Sequence, residues 1–175
     1  MGAAVKCAAL LTDAFGRVRE TVHDVLEGLT AEELAARLDP AANSIAWLVW
    51  HLTRVQDDHL ADAAGTEQVW TTDGWYERFA LPFPARATGY GHRSAEVAAV
   101  RPDGPQLLAG YHDAVHERTL AFVQGLTGSS LDRVVDESWT PSVTLGVRLV
   151  SVVSEGLQHV GQAAFLRGVL RRQAG

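Results

Sequence analysis

Glu155 and His159 stand four residues apart in the run Glu155-Gly156-Leu157-Gln158-His159. On a helix this spacing puts a carboxylate and an imidazole on one face, about 5–6 Å apart at Cβ. At 100° per residue the same face carries Val152, Leu166 and Leu170, so two polar groups sit on an apolar stripe. A carboxylate buried there without a partner is costly and calls for a compensating charge. A divalent metal ion supplies one, and Glu/His at i,i+4 is suitable spacing for two ligands. A Glu–His hydrogen bond, or a helix turned so that both groups meet water, accounts for the same residues without a metal.

A metal centre needs a third protein ligand. His51, in Trp47-Leu48-Val49-Trp50-His51-Leu52, shares a stripe with Trp47, Val55 and Asp58 and flanks the apolar Ile45/Leu48/Leu52 stripe. A histidine in that position is equally a satisfied core residue. His112 and His116 form a rival i,i+4 pair. They lie roughly 60° and 100° from the centre of their own helix's apolar stripe, which predicts a boundary pair. His23 and His59 have no partner pattern and read as surface residues. Cys7 lies in an apolar helical stretch without an adjacent base, so packing is its expected role. The chain has no phosphate-cradling glycine loop, no Gly-x-Ser-x-Gly and no Cys-x-x-Cys.

These residues require helices to carry them. Apolar positions at three- and four-residue steps predict a helix from Ala3 to Glu27, stopped at Gly28. Thr30-Ala31-Glu32-Glu33 has the pattern of a capping box and predicts a short helix to Leu38, before Pro40. Asn43 or Ser44 then caps a second long helix, Ile45 to about Ala64, ended near Gly65. Residues 66–105 lose the helical period, apart from a short helix over Ala95–Val100. They concentrate Trp70, Trp75, Tyr76, Phe79, Phe83 and Tyr90, which are expensive to leave in water. A third long helix is expected from Gln106 to Leu126, with Leu108, Tyr111, Val115, Phe122 and Leu126 as its stripe. Residues 129–143 read as a connection with a short turn after Ser130. The fourth helix begins at Thr144 or Leu145 and runs to about Arg172. It is apolar almost all round, with Val150, Val153, Leu157 and Ala164 opposite the Val152 face, so burial on several sides and a helix-mediated homodimer are expected. Four long helices joined by one long crossover give an all-α four-helix bundle.

The composition agrees with such a domain. The 175 residues are 47% hydrophobic and 21% charged, which suits a single domain over 1–175 with its own core. A formal net charge of −6 argues against a nucleic-acid partner. One cysteine makes no internal disulfide. The longest apolar run, Ile45–Trp50, is too short for a membrane span. Met1–Leu11 lacks the order of a signal peptide, and Gly2 lacks the myristoylation pattern, so a cytoplasmic location is expected.

Trp50-His51-Leu52 and Gln158-His159-Val160-Gly161-Gln162 resemble the DinB/YfiT-like family of four-helix metalloproteins. That family places one His on the second helix and two ligands four apart on the last, the second followed by x-Gly-Gln. His51 matches the first ligand, His159 the last, and Gly161-Gln162 the trailing pair. The remaining position, commonly His, is Glu155 here. This departure is similar to the His/Glu/His set of the mycothiol-dependent maleylpyruvate isomerase branch. Thr88-Gly89-Tyr90-Gly91-His92 and Leu145–Val150 resemble segments of an actinobacterial subgroup, with which the arginine-for-lysine bias agrees. The resemblance implies a metal at His51, Glu155 and His159, with Zn²⁺ first and Ni²⁺, Fe²⁺ or Mn²⁺ open. Three protein ligands leave a coordination position for water or substrate. By spacing, Asp58 lies two turns from His51 and fits a proton acceptor or a ligand's support, against a plain solvated acid. Gln162 fits a residue that orients a ligand, and His92 with Tyr90 fits the lip of a pocket, against a simple turn. Three functions follow as expectations: thiol transfer or thiol-assisted isomerisation using mycothiol as co-substrate for a small electrophile, metal-dependent hydrolysis, or a non-catalytic metal-binding stress protein. The added C-terminal domain of the isomerase branch is not found in these residues, so its substrate is not carried over.

Overall fold

The computed structural model describes residues 6–174. Ala3–Val5, the expected start of the first helix, lie outside the described residues, as do Met1 and Gly2. Four long helices dominate: α1 (Cys7–Leu26), α3 (Ile45–Ala64), α7 (Pro105–Gln124) and α8 (Leu145–Ala174). They form a ring in which α3 packs on α8 and α7, and α1 packs on the same two from the other side. The molecule is the expected all-α bundle.

The local signals act as their chemistry requires. Thr30 caps α2 (Ala31–Ala35) with both capping-box bonds, and the helix ends three residues short of Leu38. Ser44, not Asn43, caps α3 by accepting the Trp47 amide at 3.1 Å. Gly65 closes α3 in the left-handed conformation. Pro105 sits in the first turn of α7, where its missing N–H costs nothing.

The crossover departs from the reading of its sequence. Besides α6 (Ser94–Ala99), it holds two short helices, α4 (Val69–Thr72) and α5 (Trp75–Phe79), too short for a period to register. Trp70, Trp75 and Phe79 are buried from it into the main core, each large apolar side chain contributing about 1.5–3 kcal/mol. Residues 128–144 are also more ordered than expected: a 3₁₀ turn (Gly128–Asp132) precedes a small antiparallel pair, β1 (Val134–Asp136) and β2 (Val143–Thr144).

Two burial expectations need correction. His112 and His116 are buried rather than at a boundary, because α7 is covered by both α1 and α3 and its buried arc exceeds its apolar stripe. Conversely, α8 is not buried on several sides: Val152, Val160 and Leu166 are covered, while Val147, Val150, Leu157 and Phe165 are exposed. No helix among the described residues is long and apolar enough to cross a membrane.

A buried polar network ties the crossover to α3. Arg54 is fully buried and donates to the carbonyls of Ala85 and Ala87, to Gln68 Oε1 and to Tyr111 Oη. Asp57, 3.5 Å from Arg54, accepts the Val69 and Trp70 amides at 2.9 and 2.8 Å and the Tyr111 hydroxyl at 2.8 Å. Burial pushes the Asp57 carboxyl up, opposed by those hydrogen bonds. The network fixes residues 68–70 and 85–87, and so the position of Thr88 beside His51.

Candidate metal centre

His51 enters from α3, and Glu155 and His159 enter from α8, the two helices that face each other most closely. Glu155 Oε1 lies 3.0 Å from His51 Nε2 and 3.2 Å from His159 Nε2. One ligand atom from each of the three lies within 4.8 Å of the others. The far side of each imidazole is committed. His51 Nδ1 meets the Thr88 carbonyl at 2.5 Å, and His159 Nδ1 meets Gln162 Oε1 at 3.0 Å. A carbonyl oxygen only accepts, so each Nδ1 carries a proton, and each Nε2 is the ring atom turned towards the carboxylate, where it either donates a second proton or offers its lone pair to a metal ion.

Three acceptors facing one another need positive charge between them, from protons or from a metal ion. Without a metal, the imidazoles supply it. Burial works to raise Glu155, but hydrogen bonds from His159 and His51 outweigh this and hold it down at about 2. The Glu155 hydrogen bond raises His159 in return. With a metal, bonds of ~2.1 Å at tetrahedral or right angles would separate the ligand atoms by about 3.0–3.4 Å, which matches the observed carboxylate–imidazole distances. The donor set therefore fits a borderline divalent ion.

The support is close-packed. Trp47 stacks on His51 with ring centroids 4.5 Å apart. Gly89, at φ +98°, lies so near that a Cβ there would stand 2.6 Å from His51 Nδ1 and 3.1 Å from both Trp47 and Trp50. Only glycine allows that conformation and that approach together.

A cavity of about 600 Å³ opens beside the centre, lined by His51 and Glu155 together with Asp58, His59, Tyr90, Trp139 and Arg148 among others. Asp58 is in its wall, with Oδ1 accepting Gln68 Nε2 at 2.7 Å. Gln162 supports His159. His92 lies behind the wall: it accepts the Trp47 indole N–H at 3.2 Å and stacks on Trp50, and burial lowers its basicity. From the Thr88–His92 run the wall takes Thr88 and Tyr90. His59 is not the free surface residue expected. It is half-buried and accepts Arg148 Nη1 at 2.9 Å; burial and then Arg148 lower it. His23 is paired with Asp113 at 2.8 Å. Cys7 is half-buried, with Sγ 3.8 Å from the Leu126 carbonyl. The sequence reading missed Thr88, Gly89, Trp139 and Arg148; the glycine-flanked Thr88–Gly91 run was the available signal for the first two.

A helical bundle with a His/Glu/His cluster between its second and last long helices is the DinB/YfiT-like architecture. Residues 10–172 match the family model for mycothiol-S-transferase, and the chain belongs to that family. It is also similar to a crystal structure described as the conserved protein of locus from Enterococcus faecalis. The two share 31% identity and a TM-score of 0.87 over 94% of this chain and 96% of that one. Comparison with the curated proteins gives no match.

Proposed function

We propose that the chain is a divalent-metal-dependent enzyme, acting as one bundle, that transfers the thiol mycothiol to a small electrophile. His51, Glu155 and His159 are the ligands in this reading. The observation that carries it is the convergence of two imidazole lone pairs and a carboxylate, each ring locked by a partner on its far side. A divalent ion there, with zinc the first choice, supplies the Lewis acidity that holds a thiol as its thiolate.

The chain's own residues do the rest. Thr88 and Gln162 keep the Nε2 atoms aimed inwards. His92 positions Trp47, which in turn holds the His51 ring. Asp58, in the cavity wall, takes the thiol proton. The sulfur forms a bond to the electrophilic carbon, the leaving group departs with the old bonding pair, and the proton passes to it, so the products are the thioether and the protonated leaving group. A second copy covers Val147, Val150, Leu157 and Phe165 of α8 in the homodimer this reading includes, which sedimentation tests.

The functional test is a Co²⁺-substituted protein titrated with mycothiol. A sulfur-to-cobalt charge-transfer band and thiol-dependent loss of a model electrophile are expected. An unchanged spectrum, with ester or amide hydrolysis proceeding without thiol, would replace transferase by hydrolase.

A further inference from the structure

The chain has five tryptophans, and four of them are buried. The exception is Trp139, 66% exposed, and it lines the cavity beside the metal centre. Tyr90, 95% exposed, lines the same cavity from the crossover. Two large rings left in water at the rim of one cavity are an unused apolar contact surface.

Trp139 is not on a loose arm. Asp136 Oδ1 accepts the Ser138 amide at 2.9 Å and its hydroxyl at 2.6 Å, while Oδ2 accepts Arg148 Nη2 at 2.9 Å. The segment before the ring is thus pinned to α8, and the β1–β2 pair closes it from behind. A side chain held at the rim while its ring stays exposed is set out for a ligand.

The charges narrow the ligand. Arg148 is the cavity's one arginine and is already neutralised by Asp136. Glu155 is matched by the positive charge it shares with His51 and His159, so Asp58 is the carboxylate of the wall left without a charged partner, which disfavours phosphates and carboxylates. The lining also includes Ser151, whose hydroxyl can hydrogen-bond to hydroxyl groups of a ligand. A neutral ring with apolar C–H faces and hydroxyls at its edge meets both demands.

We infer that Trp139 and Tyr90 form a stacking subsite for a neutral polyhydroxylated ring, a sugar or cyclitol, of a ligand whose other end reaches the metal centre. The inference rests on the proposed function only for that other end, the sulfur arm.

The test uses two probes: N-acetylglucosaminyl-inositol, which is the neutral ring portion of mycothiol with acetyl in place of its sulfur arm, and an N-acetylcysteine amide without rings. Because Trp139 is the one exposed indole, its quenching by acrylamide reports the subsite directly. The thiol-free probe is expected to shield Trp139. Tyr90→Ala is expected to weaken that shielding about tenfold. Trp139→Leu is expected to raise KM for mycothiol by a similar factor at unchanged kcat. It should also leave the Co²⁺ response to the ring-free thiol intact, with helical circular dichroism as the folding control. No shielding by the thiol-free probe, together with an unchanged KM in Trp139→Leu, overturns the subsite. Shielding without any thiol response of the Co²⁺ spectrum keeps the subsite and overturns the transferase reading instead.

Discussion

Thr88 decides which nitrogen of His51 faces the bundle. Its carbonyl lies 2.5 Å from His51 Nδ1 and takes that proton, leaving Nε2 free towards Glu155. The crossover thereby becomes part of the candidate centre although it contributes none of the three inward-facing ligand atoms. The Arg54–Asp57 network holds the crossover in that place.

Metal content should follow the three converging residues. His159→Ala and His51→Ala are each expected to remove most bound divalent ion, as read by elemental analysis after dialysis. Helical circular dichroism should persist, because a core of this size does not depend on an ion. His112→Ala should keep full metal content, since His112 is enclosed between α7 and α3 with Thr53 as its partner. Retained metal in His159→Ala with loss in His112→Ala would move the centre to α7.

Gly89→Ala tests the close approach. Its new methyl group would collide with His51, and a positive φ adds strain of order 1 kcal/mol. Metal affinity should fall about 10–100-fold, the usual consequence of losing an outer partner of a ligand. Gln162→Ala should do the same at His159 without the backbone strain. Equal metal affinity in both variants and the parent would show that the imidazoles need no such support.

Arg54→Met breaks the buried pair and leaves Asp57 without its cation. Loss of one member of such a pair costs about 3–5 kcal/mol. For a chain of this size that corresponds to a melting temperature lower by roughly 10 °C in calorimetry. A shift of only a degree or two would mean that the crossover is held by its aromatic side chains alone.

His112 predicts acid sensitivity. The Thr53 hydroxyl donates to the Val49 carbonyl and accepts from His112 Nδ1, so His112 Nε2 is a buried lone pair without a partner among the described residues. Burial pushes His112 from 6.5 down to about 3, with His116 adding to the effect. Above pH 6.5 neither folded nor unfolded chain binds this proton. Between pH 6.5 and 3 the unfolded chain takes it and the folded chain refuses it, so stability falls as pH falls. Urea midpoints at pH 7.5 and pH 5 should differ by about 1–2 kcal/mol in stability from this group, and the difference should shrink in His112→Gln. Parallel pH dependence in parent and variant would contradict this.

The sequence by itself determined the long helices and the three converging residues. Periodic apolar positions, Ser44, Thr30 and Gly65 act within one or two turns of chain, so their consequences are readable locally. The spacing of Glu155 and His159 is fixed by one helix, and the resemblance joined His51 to them. Only the tertiary structure decided the rest. His112 is buried because two other helices cover it, which its own angle on α7 does not reveal. α4 and α5 are a few residues each, too short to show a period, and are held by Asp57 and by burial of Trp70 and Trp75 in a distant core. Thr88 and Gly89 matter through their distance to His51, and Trp139 through its pinning to Arg148 by way of Asp136. These are relations across the fold, and no local pattern encodes them, because each depends on a partner far away along the chain.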